Sequence, residues 1–207
     1  MLSLQTVVPH TLELLRGVMS QELFADTRLV GGTSLALQYG HRSSIDLDFF
    51  GQITTNTSQI KDCLGTIGQV VQLNCSERIK SFMLDDVKLD VVIFPYPWLE
   101  APVEEEGLRL ASPPDIAAMK IGAIEGRGSK KDFIDMYFLL QHYTFTEIMQ
   151  FYKQKYPEHS EFMALRSITY FEDADNQDMP QMFVKGITWN KIKEYIIAQV
   201  EKYVNTP

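Results

Sequence analysis

Residues 29–50 decide how this chain is read: Leu29-Val30-Gly31-Gly32-Thr33-Ser34, eleven further residues, then Asp46-Leu47-Asp48-Phe49-Phe50. The first part reads as a glycine turn feeding a short helix, the second as a strand. Successive side chains of a strand point to opposite faces. Asp46 and Asp48 are therefore expected to project together, roughly 7 Å apart along the backbone, with Ile45, Leu47 and Phe49 forming an apolar floor on the other side. Carboxylates this close raise each other's pKa, and a bound cation removes that cost. Mg²⁺ (or Mn²⁺) suits such a pair, because hard cations take oxygen ligands and Mg²⁺ fills its shell from one or two carboxylates, water and substrate phosphate.

The glycines supply the other half of the reading. Glycine adopts positive φ and lets backbone approach a ligand closely, and a helix starting at Thr33 or Ser34 would aim free N–H groups at an anion. Gly40 reads as the stop of that helix. His41 and Arg42 then fall in the loop before the acidic strand. His41 alone reads as a surface or loop histidine. The permanently charged Arg42 could reach a triphosphate, brace the carboxylates, or form a plain salt bridge to Asp46 or Asp48.

Outward from this stretch, apolar positions from Leu4 to Leu23 recur at helical spacing, with a helix starting after Pro9. A helix over 60–67 is followed by strands over 70–73, 78–84 and 87–94, the last two joined by an Asp85-Asp86 turn. Asp90 is a lone acid inside an apolar strand, and burying it unpaired would be costly. Either Lys88, two residues earlier on the same face, neutralises it, or it stands beside Asp46 and Asp48 as a third metal ligand. Pro95-Tyr96-Pro97-Trp98 reads as the end of the sheet, and Glu104-Glu105-Glu106 as a solvated run.

A domain boundary is expected near Ala111, giving 1–111 and 112–207. Ser112-Pro113-Pro114-Asp115 reads as a capped helix start, and Ser129-Lys130-Lys131-Asp132 repeats the pattern, so Asp115 and Asp132 are explained as capping acids. Lys120 and Arg127 are seven residues apart, which puts them on one face if the helix continues, and with Lys131 they form a compact basic edge. Asp135 is not explained by capping. Helices are expected over 146–156, 158–171 and 189–204, and Glu172-Asp173-Ala174-Asp175-Asn176 as an exposed acidic turn lacking the glycine and closing Glu of an EF-hand.

Bulk properties narrow the function classes. A chain of 207 residues suits one domain or two small ones. The formal net charge of −8 argues against a broad basic surface for duplex nucleic acid, though not against a local basic cleft. Cys63 and Cys75 lack metal-binding spacing. No apolar run approaches the roughly 20 residues that span a bilayer, and no signal segment precedes the first helix, so a cytoplasmic protein is expected.

The spaced pair of glycine turn and Asp-Leu-Asp strand resembles the signature of the nucleotidyltransferase superfamily. More narrowly, His41-Arg42-x-Ser44-x-Asp46-Leu47-Asp48-Phe49-Phe50, with the segment from Lys120 to Asp135, is similar to the AbiEii/AbiGii-type family, whose members include toxin halves of bacterial toxin–antitoxin and phage-defence pairs. The likeness covers most of the chain. It implies an α/β (α+β) fold, a small mixed sheet with helices followed by a helical half that completes an active-site cleft. It also implies transfer of a nucleoside monophosphate from an NTP to an acceptor hydroxyl, with RNA such as a tRNA end as acceptor and a cognate antitoxin as partner. In that scheme Asp46, Asp48 and Asp90 hold Mg²⁺, Asp90 doubling as base, and Gly31, Gly32, Thr33 and Ser34 hold the β/γ-phosphates. Arg42, Ser44, Lys120, Arg127 and Lys131 contact the nucleotide or stabilise charge. Asp132 and Asp135 are further candidates, Asp135 orienting Lys131 or Arg127 or assisting catalysis. The other readings are a nucleotide-binding module that performs no transfer, and transfer to a small molecule such as an antibiotic.

Overall fold

The structure is a computed structural model that describes residues 1–53 and 55–205. The chain divides into two compact units, one made of Met1–Pro95 and Pro102–Ala111, the other of Tyr96–Ala101 and everything from Ser112 onward.

The first unit is built on a seven-stranded mixed sheet. Helix α1 (Pro9–Met19) starts with proline at its first position and buries Leu12, Leu15, Val18 and Met19. Strand β1 (Thr27–Leu29) leads into α2 (Gly31–Tyr39), which Gly40 ends at φ +67°. Then come β2 (Leu47–Gly51), α3 (Thr57–Gly65), β3 (Val70–Cys75), β4 (Ile79–Leu84) and β5 (Val87–Ile93). The turn between β4 and β5 places Asp85 and Asp86 at φ +44° and +64°, the two-residue hairpin geometry whose twist matches its strands.

The Glu104–Glu106 run is largely solvent-exposed, as its reading had it, but it is not irregular. It lies in a second hairpin, β6 (Val103–Glu105) with β7 (Leu108–Leu110), turned at Glu106 and Gly107. Strand order is β3-β4-β5-β2-β1-β7-β6, with β2 parallel to β5 and β1 parallel to β7. Alternation sets the two faces of the sheet: Leu47, Phe49, Leu89 and Val91 are buried in the core with Leu15, Val18 and Phe24, while Asp48, Lys88 and Asp90 point the other way.

The second unit is helical: α4 (Pro113–Gly126), α5 (Lys130–Leu139), α6 (Phe145–Lys155), α7 (Glu161–Ile168), α8 (Glu172–Asp175) and α9 (Trp189–Val204). Ser112 caps α4 by accepting from the Asp115 N–H, and Thr144 with Glu147 closes a capping box on α6. The acids at 172–176 are exposed, as expected of an acidic turn, and the stretch forms the one-turn α8, whose Asp175 accepts from Trp189 and Lys193.

Segment 96–101 is tied into the helical unit by Lys155. Its Nζ, fully buried, donates to the Pro97 carbonyl at 2.8 Å and to Asp115 Oδ1 at 2.6 Å, and stands 4.8 Å from the centre of the Trp98 ring. Asp115 also accepts from the Leu99 N–H, so it is a buried hub rather than only the capping acid its position suggested. Among the described residues, no helix is long and apolar enough to cross a membrane.

Candidate active site

The parallel register of β2 and β5 sets Asp48 directly opposite Asp90. Both side chains are half-buried, on the face of the sheet turned away from the core. Asp46 is an exposed residue just before β2, which begins at Leu47, and its charge acts on Lys88 beside that of Asp48. Ile45 leaves the expected apolar floor and is 56% exposed. The reason lies in the preceding loop, which is held to α2 rather than to a strand. The Thr33 hydroxyl donates to the Asp46 carbonyl at 2.5 Å and lies 2.8 Å from Ser44 Oγ.

The glycine turn lies against Asp48. The Val30 N–H donates to the Asp48 carbonyl at 2.9 Å, and α2 starts immediately at Gly31, two or three residues before the expected start. Gly31 has φ +69°, and a Cβ there would stand 2.6 Å from Asp48 Oδ2. A Cβ on Gly32 would stand 2.2 Å from a terminal nitrogen of Arg42. Arg42 is buried, with Nη1 donating to the Ser43 carbonyl, and its guanidinium therefore sits beside the positive end of α2. His41 is fully buried, not the surface histidine its loop position suggested. Ser34 is buried too, its hydroxyl accepting from Gln38 and its N–H bonded back to the Val30 carbonyl at 3.4 Å.

The electrostatics of this face centre on Lys88. Its Nζ donates to Asp90 Oδ2 at 2.6 Å. That hydrogen bond raises the lysine above its ordinary pKa against the lowering effect of burial, and the charges of Asp90, Asp48 and Asp46 add to the rise. Three carboxylates thus act on one ammonium: Asp90 pairs with Lys88, as one of the two sequence readings had it, and lies in register with Asp48. Asp90 Oδ1 is buried without a hydrogen-bond partner. Among the described residues, no three His, Cys, Asp or Glu side chains form a ready-made metal centre. Mg²⁺ does not require one, since one or two carboxylates suffice, and the hard oxygen set with an unsatisfied Oδ1 fits it.

In the helical unit, α4 ends at Gly126, and Arg127 leaves the helix at φ −136°, so Lys120 and Arg127 do not share a helix face. They meet through Asp132 instead. Arg127 donates Nε and Nη2 to Asp132 at 2.9 and 3.0 Å, Ser129 Oγ donates at 2.7 Å, and Lys120 Nζ lies 3.0 Å from Asp132 and 2.5 Å from Asp135. Asp135 pairs with Lys120, which is buried rather than part of a basic edge. Lys131 is exposed. Burial alone would raise the Asp132 pKa, but Lys120, Arg127 and Ser129 outweigh it and hold the carboxyl well below the usual range. Sequence reading missed a nearby network in which Tyr152 Oη donates to Glu125 at 2.6 Å and lies 3.2 Å from His159 Nδ1.

The profile of the family described as "Nucleotidyl transferase AbiEii toxin, Type IV TA system" matches residues 13–202. The chain belongs to this AbiEii family. It is a nucleotidyltransferase of the toxin type. An uncharacterised protein of Aquifex aeolicus is 33% identical over 198 residues, covering 93% of this chain and 95% of that protein. Two solved structures share the fold at lower identity. JHP933 from Helicobacter pylori is 16% identical with a TM-score of 0.57, covering 95% of this chain and 92% of its own. MenT4, a nucleotidyltransferase toxin of Mycobacterium tuberculosis, is 14% identical with a TM-score of 0.58, covering 91% and 80%.

Proposed function

We propose that this AbiEii enzyme transfers a nucleoside monophosphate from an NTP to an acceptor hydroxyl, with Asp46, Asp48 and Asp90 as the acids and RNA such as a tRNA end as acceptor. One observation carries the reading: Asp48 faces Asp90 across β2 and β5 while the Gly31 turn presses on Asp48. Bound at these acids, Mg²⁺ would neutralise donor phosphate charge and align the attacking and leaving oxygens. The chain's own residues do the rest. The backbone N–H groups at the start of α2, with Arg42 beside them, would hold the β/γ-phosphates. Thr33 and Ser44 keep the Asp46 loop against that helix. Asp90, through its unsatisfied Oδ1, would accept the proton of the acceptor hydroxyl. For Lys120, Arg127, Asp132 and Asp135, the support is the family motif and the ion-pair geometry within the helical unit, and for Lys131 the family motif alone. A cognate antitoxin is the partner that the family's toxin description suggests, and the cytoplasm is the proposed compartment.

Incubation with labelled NTPs, Mg²⁺ and total tRNA tests this beside an Asp46→Ala/Asp48→Ala variant. Label transfer should fall by at least two to three orders of magnitude, roughly the scale for loss of one electrostatic stabiliser. Transfer that survives the double substitution removes these acids from the mechanism.

A further inference from the structure

Helix α7 and the residues just after it present two faces. Ala164, Ile168 and Phe171 are buried, whereas Met163, Arg166, Ser167 and Tyr170 follow one another at i, i+3, i+4 and i+7 and stay at least partly accessible. This second stripe lines a cavity of about 360 Å³, whose other walls are the C-terminal turn of α4, residues 126–128, and Asp173. That volume is within the range of small-molecule sites.

The chemistry of its walls is mixed in a specific way. Arg166 makes no ion pair among the described residues. Arg127 is 68% exposed although it binds Asp132. Tyr170 offers a half-exposed ring whose hydroxyl is tied to Glu172 at 3.0 Å. The Glu125 carboxylate is oriented by Tyr152 at 2.6 Å, and Asp173 adds a second acceptor. Guanidiniums, a π-face and oriented carboxylates in one cavity complement the three parts of a nucleotide. The guanidiniums suit its phosphate, the ring suits a stacked base, and the acids suit amino groups on the base edge. A bare phosphate would gain nothing from the ring and would be opposed by the acids.

We infer that this cavity binds a single unstacked nucleotide, supplied either by a single-stranded RNA or as a free nucleotide. The inference rests on the nucleotidyltransferase reading only in taking RNA as one of the two sources. The test is calorimetric titration of the full chain, in EDTA so that metal-dependent binding is silent, with a short single-stranded oligoribonucleotide and separately with GMP. Arg166→Glu and Tyr170→Ala, both at exposed positions, should each weaken binding about tenfold or more, in line with the loss of one base stack or one phosphate contact. Asp46→Ala/Asp48→Ala should bind like the parent, so loss of transfer and loss of this site are separable. Binding of the oligonucleotide alone assigns the site to a strand, and binding of GMP alone to the free nucleotide. Unchanged affinity in both cavity variants, no binding of either probe, or binding that disappears with the acidic pair would overturn the inference.

Discussion

At Gly31 two constraints coincide, a backbone at φ +69° and an Asp48 oxygen 2.6 Å from where a Cβ would lie. Alanine there would carry the left-handed penalty, roughly 1–2 kcal/mol, and would push Asp48 from its place opposite Asp90. Gly31→Ala is therefore expected to lower the urea midpoint and to lose Mg²⁺-dependent transfer. A variant as stable and as active as the parent would mean that the turn relaxes freely. The sequence marked both glycines as a turn for a phosphate, and Gly31 takes the positive φ that this requires. Gly32 is constrained differently, by the buried Arg42 guanidinium ten residues further on. No pattern local to the turn could have disclosed that.

Between α4 and α5, Asp132 gathers Lys120, Arg127 and Ser129, and its side chain is wholly buried. A carboxyl with a depressed folded pKa stabilises fully above its unfolded value, near 4, and loses that contribution as pH falls toward the folded value. Urea midpoints should thus fall below about pH 4 in the parent, and more shallowly in Asp132→Asn. At neutral pH the substitution should cost about 3 kcal/mol or more, the scale for removing one partner of a buried ion pair. Equal acid slopes in the two proteins would exclude Asp132 as the titrating group. The capping pattern made α4 and α5 legible, since Ser-Pro-Pro-Asp and Ser-Lys-Lys-Asp announce helix starts. It could not foresee that Arg127 leaves the helix, because the Gly128 left-handed turn redirects the side chain onto Asp132. Strands β6 and β7 escaped for another reason. Each has three residues, too short for alternation to register, and one is largely glutamate.

Across the whole molecule, the chain passes between the two units three times, because residues 96–101 belong with the helices and 102–111 return to the sheet. Read locally, Pro95-Tyr96-Pro97-Trp98 was simply where the strands stop. Its partners, Asp115 and Lys155, are too distant in sequence for any periodicity to connect them. A chain cut after Ala111 would keep this segment and lose both partners. Limited proteolysis is expected to cleave the shortened chain within 96–101 and to spare that stretch in the full chain. Equal protection in both would show that the segment holds itself in place. The seven-stranded sheet and helical second unit match the architecture that the early motif implied, while this interleaving was invisible to it.

The Lys155 anchor also has a bearing on biosynthesis. Its lysine follows Pro97 by 58 residues, so translation delivers a proline- and tryptophan-bearing loop well before the group that fastens it. During that interval the nascent loop lacks the ammonium that fastens it to Asp115.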